Sequence, residues 1–521
     1  MVNYLNIART ENLEYPKEKL LYRCLEVLPG FLSWLTLLGA FFLSWMAPTV
    51  VAIFIILFDF YWLLKITYLS FHQITSYKQM KKNLKTDWLG KLKLLNNDRR
   101  KIYHLIILPM YKEGEEIVES SLQAILNCQY PKDKMIVVLA IEERAGKSAQ
   151  KVAKKIEEKF SKKFLRFLIT IHPKDIPGEI KGKGSNTAWA IKTVKEKIIE
   201  PLKIKKENII VSTFDIDTKP YPQYFSCLTF YYLTIKNPYR ASFQPIPIYN
   251  NNIWSAPSFS RVIATSNTFW QMMQQERPKA LITYSSHSFP FKILEDVGYP
   301  KNVIPDDSRI FWKAYLFYDG EYRVVPIHYP VSMDAVLAKN LKRTIINQYH
   351  QQRRWAWGCT DIPFLLFGFF KNKKIPLLKK LYHSWNILDG FWSWAVVSLL
   401  IFSLGWLPLF FGGEKFNITL LSYNLPIITR NIMTISMIGM LISCIISFLI
   451  LPQKPKKFSK LKNISLVLQW LLLPITLIIF GGFPALDAQT RLILGKDIDF
   501  WVTEKVRIMP SSFNQTKSAE P

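Results

Sequence analysis

A chain of 521 residues, 49% of them hydrophobic and 21% charged, with a formal charge of +29, is too apolar for a disordered tail or a fibrous repeat. At roughly 100 to 200 residues per domain it is also too long for one unit. A mean hydropathy of +0.08 in so basic a chain means that apolar residues are gathered into long uncharged stretches, as in a membrane protein with a large wet part. The five cysteines (Cys24, Cys128, Cys227, Cys359, Cys444) are scattered, odd in number and free of CxxC spacing, which argues against a disulfide framework or a zinc knuckle. The seven histidines form no HExxH or HxxxH pair.

After an N-terminal segment, 1–27, expected in the cytoplasm, no charge occurs between Glu26 and Asp59. That run is too long for one span of about 20 residues and suits a hairpin over 28–70, Leu28 to Ala47 and Thr49 to Ser70, turning at Pro48. Arg9, Lys17, Lys19 and Arg23 precede it and Lys78, Lys81, Lys82 and Lys85 follow, so the positive-inside rule puts both flanks in the cytoplasm. No small-residue cleavage site follows the first run, which argues against a signal peptide. Asp59 inside the second span reads either as part of a polar path or as a packing hydrogen bond between helices.

From 71 to 358 short β-branched runs alternate with amphipathic ones. His104 to Pro109, Met135 to Ile141, Phe164 to His172 and Ile209 to Phe214 are predicted buried strands separated by helices, an α/β pattern with a mostly parallel sheet and ligands at the strands' carboxyl ends. Polar stations stand at those ends: Pro109, Tyr111 and Glu113 after the first strand, Glu142 and Glu143 after the second, Asp215 and Asp217 after the fourth. If Asp215-Ile-Asp217 is extended, its alternation sets both carboxylates on one face, where they can bind a hard divalent cation that neutralises a diphosphate; a turn or N-cap before a helix near Pro220 is the plainer alternative. Lys181-Gly-Lys183-Gly184-Ser-Asn186 opens a helical pattern and offers backbone N–H groups and cations to phosphate, without P-loop spacing; an exposed basic loop is the other reading.

Pro305-Asp306-Asp307 precedes another helical pattern. Asp307 is a candidate general base with Asp306 orienting it, although the same residues make ordinary N-cap chemistry, and a helix N-terminus is expected to lower a carboxylate's pKa. In Gln351-Gln-Arg353-Arg354-Trp355, Arg354 offers a fork for a diphosphate and Trp355 a flat face for a sugar ring; a basic membrane-surface helix is the bland reading.

Beyond an interfacial stretch, 359–389, three uncharged runs (Gly390 to Gly413, Asn431 to Gln453, Asn463 to Leu486) fill a second membrane region, 390–486. The basic loop Lys454 to Lys462 is expected in the cytoplasm. Basic residues in 487–521 (Arg491, Lys496, Lys505, Arg507) favour the same side, so the last run is a crossing, re-entrant or interfacial, for four or five crossings in all.

The order PxYxE, acidic pair, KGKG, DxD, Pro-Asp-Asp and QxxRW, bracketed by membrane helices, resembles the membrane-integrated family 2 glycosyltransferases that include cellulose, hyaluronan and chitin synthases. The resemblance runs from about His104 to Trp355. It implies a Rossmann-like GT-A domain in the cytoplasm, inserted between transmembrane helices of a multi-pass inner-membrane protein, and inverting transfer from a nucleotide-sugar, usually a uridine diphosphate sugar, with Mg2+ or Mn2+. Under it Pro109, Tyr111, Glu113 and Glu142 or Glu143 border the nucleoside; Asp215 and Asp217 hold metal and diphosphate; Lys183 and Arg354 add donor contacts; Asp307 is the catalytic base. Gln351 and Trp355 face the acceptor, and Thr283-Tyr-Ser-Ser286-His287 stands where cellulose synthases carry an acceptor motif. Phe500-Trp501-Val502-Thr503-Glu-Lys505 resembles the FxVTxK gating loop, with Trp501 or Phe500 as its aromatic.

Three departures stand out: Glu142-Glu143 replaces DD or DxS, Thr283-Tyr284-Ser285-Ser286-His287 replaces a Gly-containing segment, and Pro305-Asp306-Asp307 replaces TED while keeping its final Asp. The implied partners are a nucleotide-sugar, a saccharide or lipid acceptor, the bilayer and, as an open alternative, accessory export subunits, with no nucleic acid. A single transfer that makes a glycolipid is the alternative within the enzyme class. A membrane-tethered polyanion-binding protein, suggested by Lys clusters at 151–163 and 192–206, is the alternative outside it.

Overall fold

A computed structural model of the chain describes residues 4–95, 101–402, 404–455, 461–498, 501, 503 and 504. Helix α1 (Pro16–Met46) hands over to α2 (Pro48–Lys85) through the single residue Ala47. Pro48 at the first position of α2 loses no hydrogen bond, since that N–H has no partner within a helix. Both helices overrun the expected spans. α2 in particular does not stop at Ser70: Gln73, Ser76, Met80 and Asn83 are buried on its continuing face, and Asn83 Nδ2 donates to the carbonyl of Ile327, 2.9 Å away in the sheet. The hairpin and the wet part are therefore one mechanical piece. A short helix, α3 (Trp88–Leu94), leads on.

The four predicted strands are present as β1 (Tyr103–Met110), β2 (Met135–Glu142), β3 (Arg166–His172) and β4 (Ile209–Thr213), with parallel pairing in the order β3-β2-β1-β4. The helices between them are α4 (Glu115–Leu126), α5 (Gly146–Phe160) and α6 (Lys183–Val194). Alternate residues of the strands enter two separate apolar clusters. Leu105, Ile107, Val138 and Val211 face one way; Ile106, Leu108, Val137 and Ile210 face the other. Burial on both faces is what a parallel sheet covered by helices requires.

The other half of the sheet is mixed rather than mostly parallel. Strands β5 (Lys219–Pro220), β6 (Ala241–Ile248), β7 (Ser288–Pro290) and β8 (Arg323–Ser332) complete the order β3-β2-β1-β4-β7-β6-β8-β5, with β7 antiparallel to β4 and β6, and β8 parallel to β6. β6 and β8 carry Pro245, Pro247, Pro326 and Pro330, which demote a run from strand on sequence grounds. They pair with each other across a register shift between Gln244 and Ile246, so one irregular strand accommodates the other. Pro220 lies in β5, and the helix expected to begin there, α7 (Tyr224–Thr234), starts later. Helices α8 (Ser258–Gln275), α9 (Phe291–Val297) and α10 (Asp306–Phe317) follow β6 and β7.

After β8 come α11 (Leu341–Ala356), a tight turn over Trp357–Thr360, α12 (Asp361–Lys371) and α13 (Leu377–Phe402). The stretch expected at the interface divides: α12 buries Phe364, Leu365, Phe367 and Phe369 inside the protein, whereas 377–389 is the first half of a long membrane-type helix. Among the described residues, five helices are long and apolar enough to cross a membrane: α1, α2, α13, Leu420–Leu449 and the run Asn463–Ile493. Asp59, 3% exposed, faces the helix bundle. Residues 456–460 of the basic loop lie outside the described residues.

Candidate active site

The carboxyl ends of β1, β2 and β4 and the N-termini of α6 and α10 converge on one edge of the sheet. Asp215 and Asp217 lie in a turn just past β4, not in an extended strand: the Thr218 N–H donates to the Asp215 carbonyl at 2.9 Å. Ser285 Oγ donates to Asp215 Oδ2 at 2.7 Å, and the Asp334 backbone N–H donates to Asp217 Oδ2 at 2.9 Å. Asn251 Nδ2 holds the Asp217 carbonyl at 2.9 Å, so the turn is fixed by the loops that follow β6 and β8.

Lys183, the first residue of α6, reaches across to Asp307. Its Nζ stands 2.9 Å from both Asp307 oxygens and 2.9 Å from Asp215 Oδ1. The position expected to serve phosphate therefore clamps two of the acids together. Burial alone would lower the ammonium's pKa, but Asp215, Asp307 and Asp306 outweigh it and hold it well above the ordinary value. Gly182, at φ 140°, takes a backbone conformation that side chains avoid, and turns the chain into α6. A Cβ on Gly184 would come within 2.7 Å of the Pro300 carbonyl and 3.1 Å of Asp306 Cβ, so only glycine lets α6 lie this close to α10.

Asp306 and Asp307 occupy the first turn of α10. The expected lowering of pKa by the helix N-terminus does not hold for Asp306: burial, then the neighbouring Asp307 carboxylate, push it up to about 7, and Tyr299 donates to its Oδ2 at 2.8 Å. Desolvation of a fully enclosed carboxylate exceeds the end-of-helix effect, which is typically below about 1 kcal/mol.

The segment 283–287 sits beneath these acids. Thr283 Oγ1 donates to the Asp307 carbonyl at 2.6 Å, Ser286 Oγ pairs with Thr218 Oγ1 at 2.8 Å, and the Tyr284 N–H donates to Gln244 Oε1 at 2.9 Å. Ser286 and His287 are each 0% exposed, so the acceptor side expected of them falls on side chains enclosed by the fold. Ser286 adopts φ 65°, a strained choice for a residue with a Cβ, which aims its hydroxyl at the Asp217–Thr218 turn. Burial pushes His287 down to about 4; its Nδ1–H can donate to the Tyr284 carbonyl at 2.9 Å, and Asp307 Oδ1 lies 3.6 Å from the same nitrogen.

Across the opening, Gln351 and Trp355 of α11 line a small cleft together with Tyr249 and Asp334, and the Tyr249 and Trp355 rings lie 6.2 Å apart. Tyr249, past the end of β6, gathers the site. Its phenol is raised by burial and then by Asp215 and Asp217, with Arg354 opposing and Asp307 adding, so side chains from three chain segments act on one oxygen. Tyr249 escapes sequence reading because it follows a proline-rich run with no motif of its own.

At the far side of the same edge, Arg144 pairs with both oxygens of Glu142 and its guanidinium lies 4.7 Å over the Tyr111 ring. Glu113 Oε2 accepts the Tyr111 backbone N–H at 2.7 Å, Glu143 accepts the Lys174 N–H at 3.1 Å, and Pro109 lies on β1 beside Ala140. Glu142 is thus neutralised by Arg144, a residue the acidic-pair reading passed over. Trp501 stacks on His350 of α11 at 4.3 Å and donates to Asn347 Oδ1 at 3.1 Å; Phe500, Val502 and Lys505 of the same motif lie outside the described residues.

No protein-family model matches the chain, and no curated protein matches it. Among solved structures it is similar to the mannosyltransferase PcManGT from Pyrobaculum calidifontis in complex with GDP-Man and Mn2+, at 17% identity, 74% of this chain, 97% of that one and TM-score 0.41. It is also similar to a fragment of S. aureus TarS in complex with UDP (9% identity, 65% of this chain, 89% of that one, TM-score 0.35) and to the same fragment in complex with UDP-GlcNAc (10%, 65%, 89%, 0.36). Scores this low establish neither fold family nor activity.

Proposed function

We propose that the chain is an inverting glycosyltransferase that moves a sugar from a nucleoside diphosphate sugar to an acceptor hydroxyl beside the membrane. The observation that carries the reading is the Lys183 ammonium bridging Asp215 of the turn after β4 and Asp307 of α10, 2.9 Å from each. In this reading the acceptor oxygen attacks the anomeric carbon, Asp307 takes the acceptor's proton, and the bond to the diphosphate breaks with its electron pair leaving on the phosphate oxygen. Arg354, with its planar fork, takes up the charge on that leaving group. Trp355 and Gln351, lining the cleft, would hold the acceptor sugar.

Asp215 and Asp217 fit Mg2+ or Mn2+ as hard carboxylate donors on one turn. Among the described residues no three His, Cys, Asp or Glu side chains form a metal cage; a two-carboxylate site completed by diphosphate and water is the usual form for Mg2+. When bound, the ion would neutralise the departing diphosphate.

The test is transfer itself. Full-length protein in membranes, given radiolabelled UDP-glucose, UDP-N-acetylglucosamine or GDP-mannose with Mg2+ or Mn2+, is expected to convert one donor to product and to stop when EDTA is added. Product size separates a polymer from a short organic-extractable glycolipid. Polyanion binding without consumption of any donor would favour the non-catalytic alternative.

A further inference from the structure

The first described residues do not trail away from the fold. Leu5, Ile7 and Leu13 are buried at 8%, 1% and 3% exposure. Asn302 Nδ2 donates to the Asn6 carbonyl at 2.8 Å, and Lys313 Nζ of α10 to Asn6 Oδ1 at 3.1 Å. Arg9 lies 5.4 Å over the Trp357 ring in the turn after α11 and pairs with Asp497 at 2.5 Å. Residues 4–13 therefore run as a strap across the back of α10 and the end of α11, the two helices that carry Asp307 and Arg354.

At the crossing point sits Arg309, two residues after Asp307 and only 3% exposed at its side chain. Its Nε donates to Asp361 Oδ1 at 2.6 Å, its Nη1 to the Ile7 carbonyl at 3.0 Å and its Nη2 to the Thr360 carbonyl at 3.1 Å, while its guanidinium covers Phe364 at 4.1 Å. Asp361 is itself 2% exposed and takes a further bond from Ser308 at 2.5 Å. One guanidinium thus joins α10, the strap and the start of α12, which continues from α11 through a single short turn. A buried ion pair is a poor source of net stability, because desolvation offsets its attraction. What a fork with every direction taken supplies is geometry: lysine, a point charge, cannot serve three acceptors so disposed.

We propose that Arg309 is a positioning residue and that the 4–13 strap is part of the active-site frame, together fixing the spacing between Asp307 and the Arg354–Trp355 pair. This rests on the transferase reading above. Donor binding depends chiefly on the turn after β4 and only in part on Arg354, so the frame bears more on the alignment of base and leaving group than on affinity.

Two full-length variants and one truncation test it. Arg309→Lys, Asp361→Asn and removal of residues up to Leu13 are each expected to lower kcat by on the order of 10²-fold, the loss that a misplacement of about 1 Å brings. The Kd for the donor's nucleoside diphosphate should rise by less than about tenfold, since Arg354 is only one of its contacts. A synthetic peptide of residues 1–14 added to the truncated protein should restore part of kcat, a result that a merely unstable chain would not give. Hydrogen exchange gives a readout independent of activity: the first turns of α10 should lose protection in the truncated chain while β1 and β4 keep theirs. Full transfer by the truncated chain, or unchanged α10 protection, overturns the proposal. If the unmodified protein consumes no sugar nucleotide, it is the transferase reading that fails, and the exchange pattern still decides the frame.

Discussion

Replacing Asp307 by Asn is expected to cut transfer by about 10³-fold or more while leaving nucleotide affinity nearly unchanged. Removal of a positioned base alone costs about 10² to 10⁴-fold. The remainder arises because Asp307 also completes the clamp: Lys183 sits 2.9 Å from both of its oxygens, and an amide cannot balance that ammonium. The fold itself should survive, since Thr283 holds the Asp307 carbonyl and not its carboxylate. Initial rates with saturating donor, set beside the nucleotide Kd measured by calorimetry, separate the two quantities. A rate within tenfold of the unmodified protein would mean that the acceptor's proton goes elsewhere.

The second large effect is expected at Lys183→Met. Its side chain is only 12% exposed and faces Asp215, Asp307 and Asp306. Removing one partner from a buried charge cluster costs about 3 to 5 kcal/mol, because the carboxylates left behind have no compensation. The cost should depend on pH through Asp306. A carboxyl whose folded pKa is raised is stabilising below its unfolded value of about 3.9, and that contribution is lost as pH rises through its folded value, here about 7. The unmodified chain should therefore lose stability between about pH 4 and 7. Without the ammonium, Asp306 is pushed higher still, so the variant's decline should continue into the alkaline range. Apparent Tm from pH 5 to 9 checks this: parallel curves for the two proteins would show that Lys183 does not govern the cluster. The same substitution separates two roles for this lysine, since a pure phosphate contact would weaken nucleotide binding with little effect on the Tm of the free protein.

Much of this arrangement is legible in the residues because parallel strands buried on both faces write continuous β-branched runs. His104–Pro109 and Met135–Ile141 were readable for that reason, and their carboxyl ends could be searched for acids. The other half of the sheet was not, because β6 and β8 each contain two prolines that are tolerated only through their mutual register shift, a tertiary fact without a local signature. The same gap hid Tyr249 and the bonds from Asp334 and Asn251 that hold the Asp215–Asp217 turn. What segment 283–287 does not reveal in sequence is its burial: Ser286 and His287 are enclosed, and the segment bonds to backbone and acids within the fold. A cation near a helix N-terminus suits an anion, which makes Lys183 legible as a phosphate contact; its ion pairs with Asp215 and Asp307, distant in sequence, are not legible. The membrane helices were legible as apolar runs, yet their ends were not, since α2 continues under the sheet on a face of buried polar side chains that hydropathy alone ends too early.

The most direct measurement is Mn2+ bound to the full-length protein in the presence of UDP or GDP, followed by electron paramagnetic resonance. The account expects one tightly held ion per chain with a resolved coupling to phosphorus, lost in Asp217→Asn and retained in Asp307→Asn. Undiminished Mn2+ and nucleotide binding in Asp217→Asn, or an ion without phosphorus coupling, would contradict the claim that this sheet edge holds a metal-bound diphosphate beside its base.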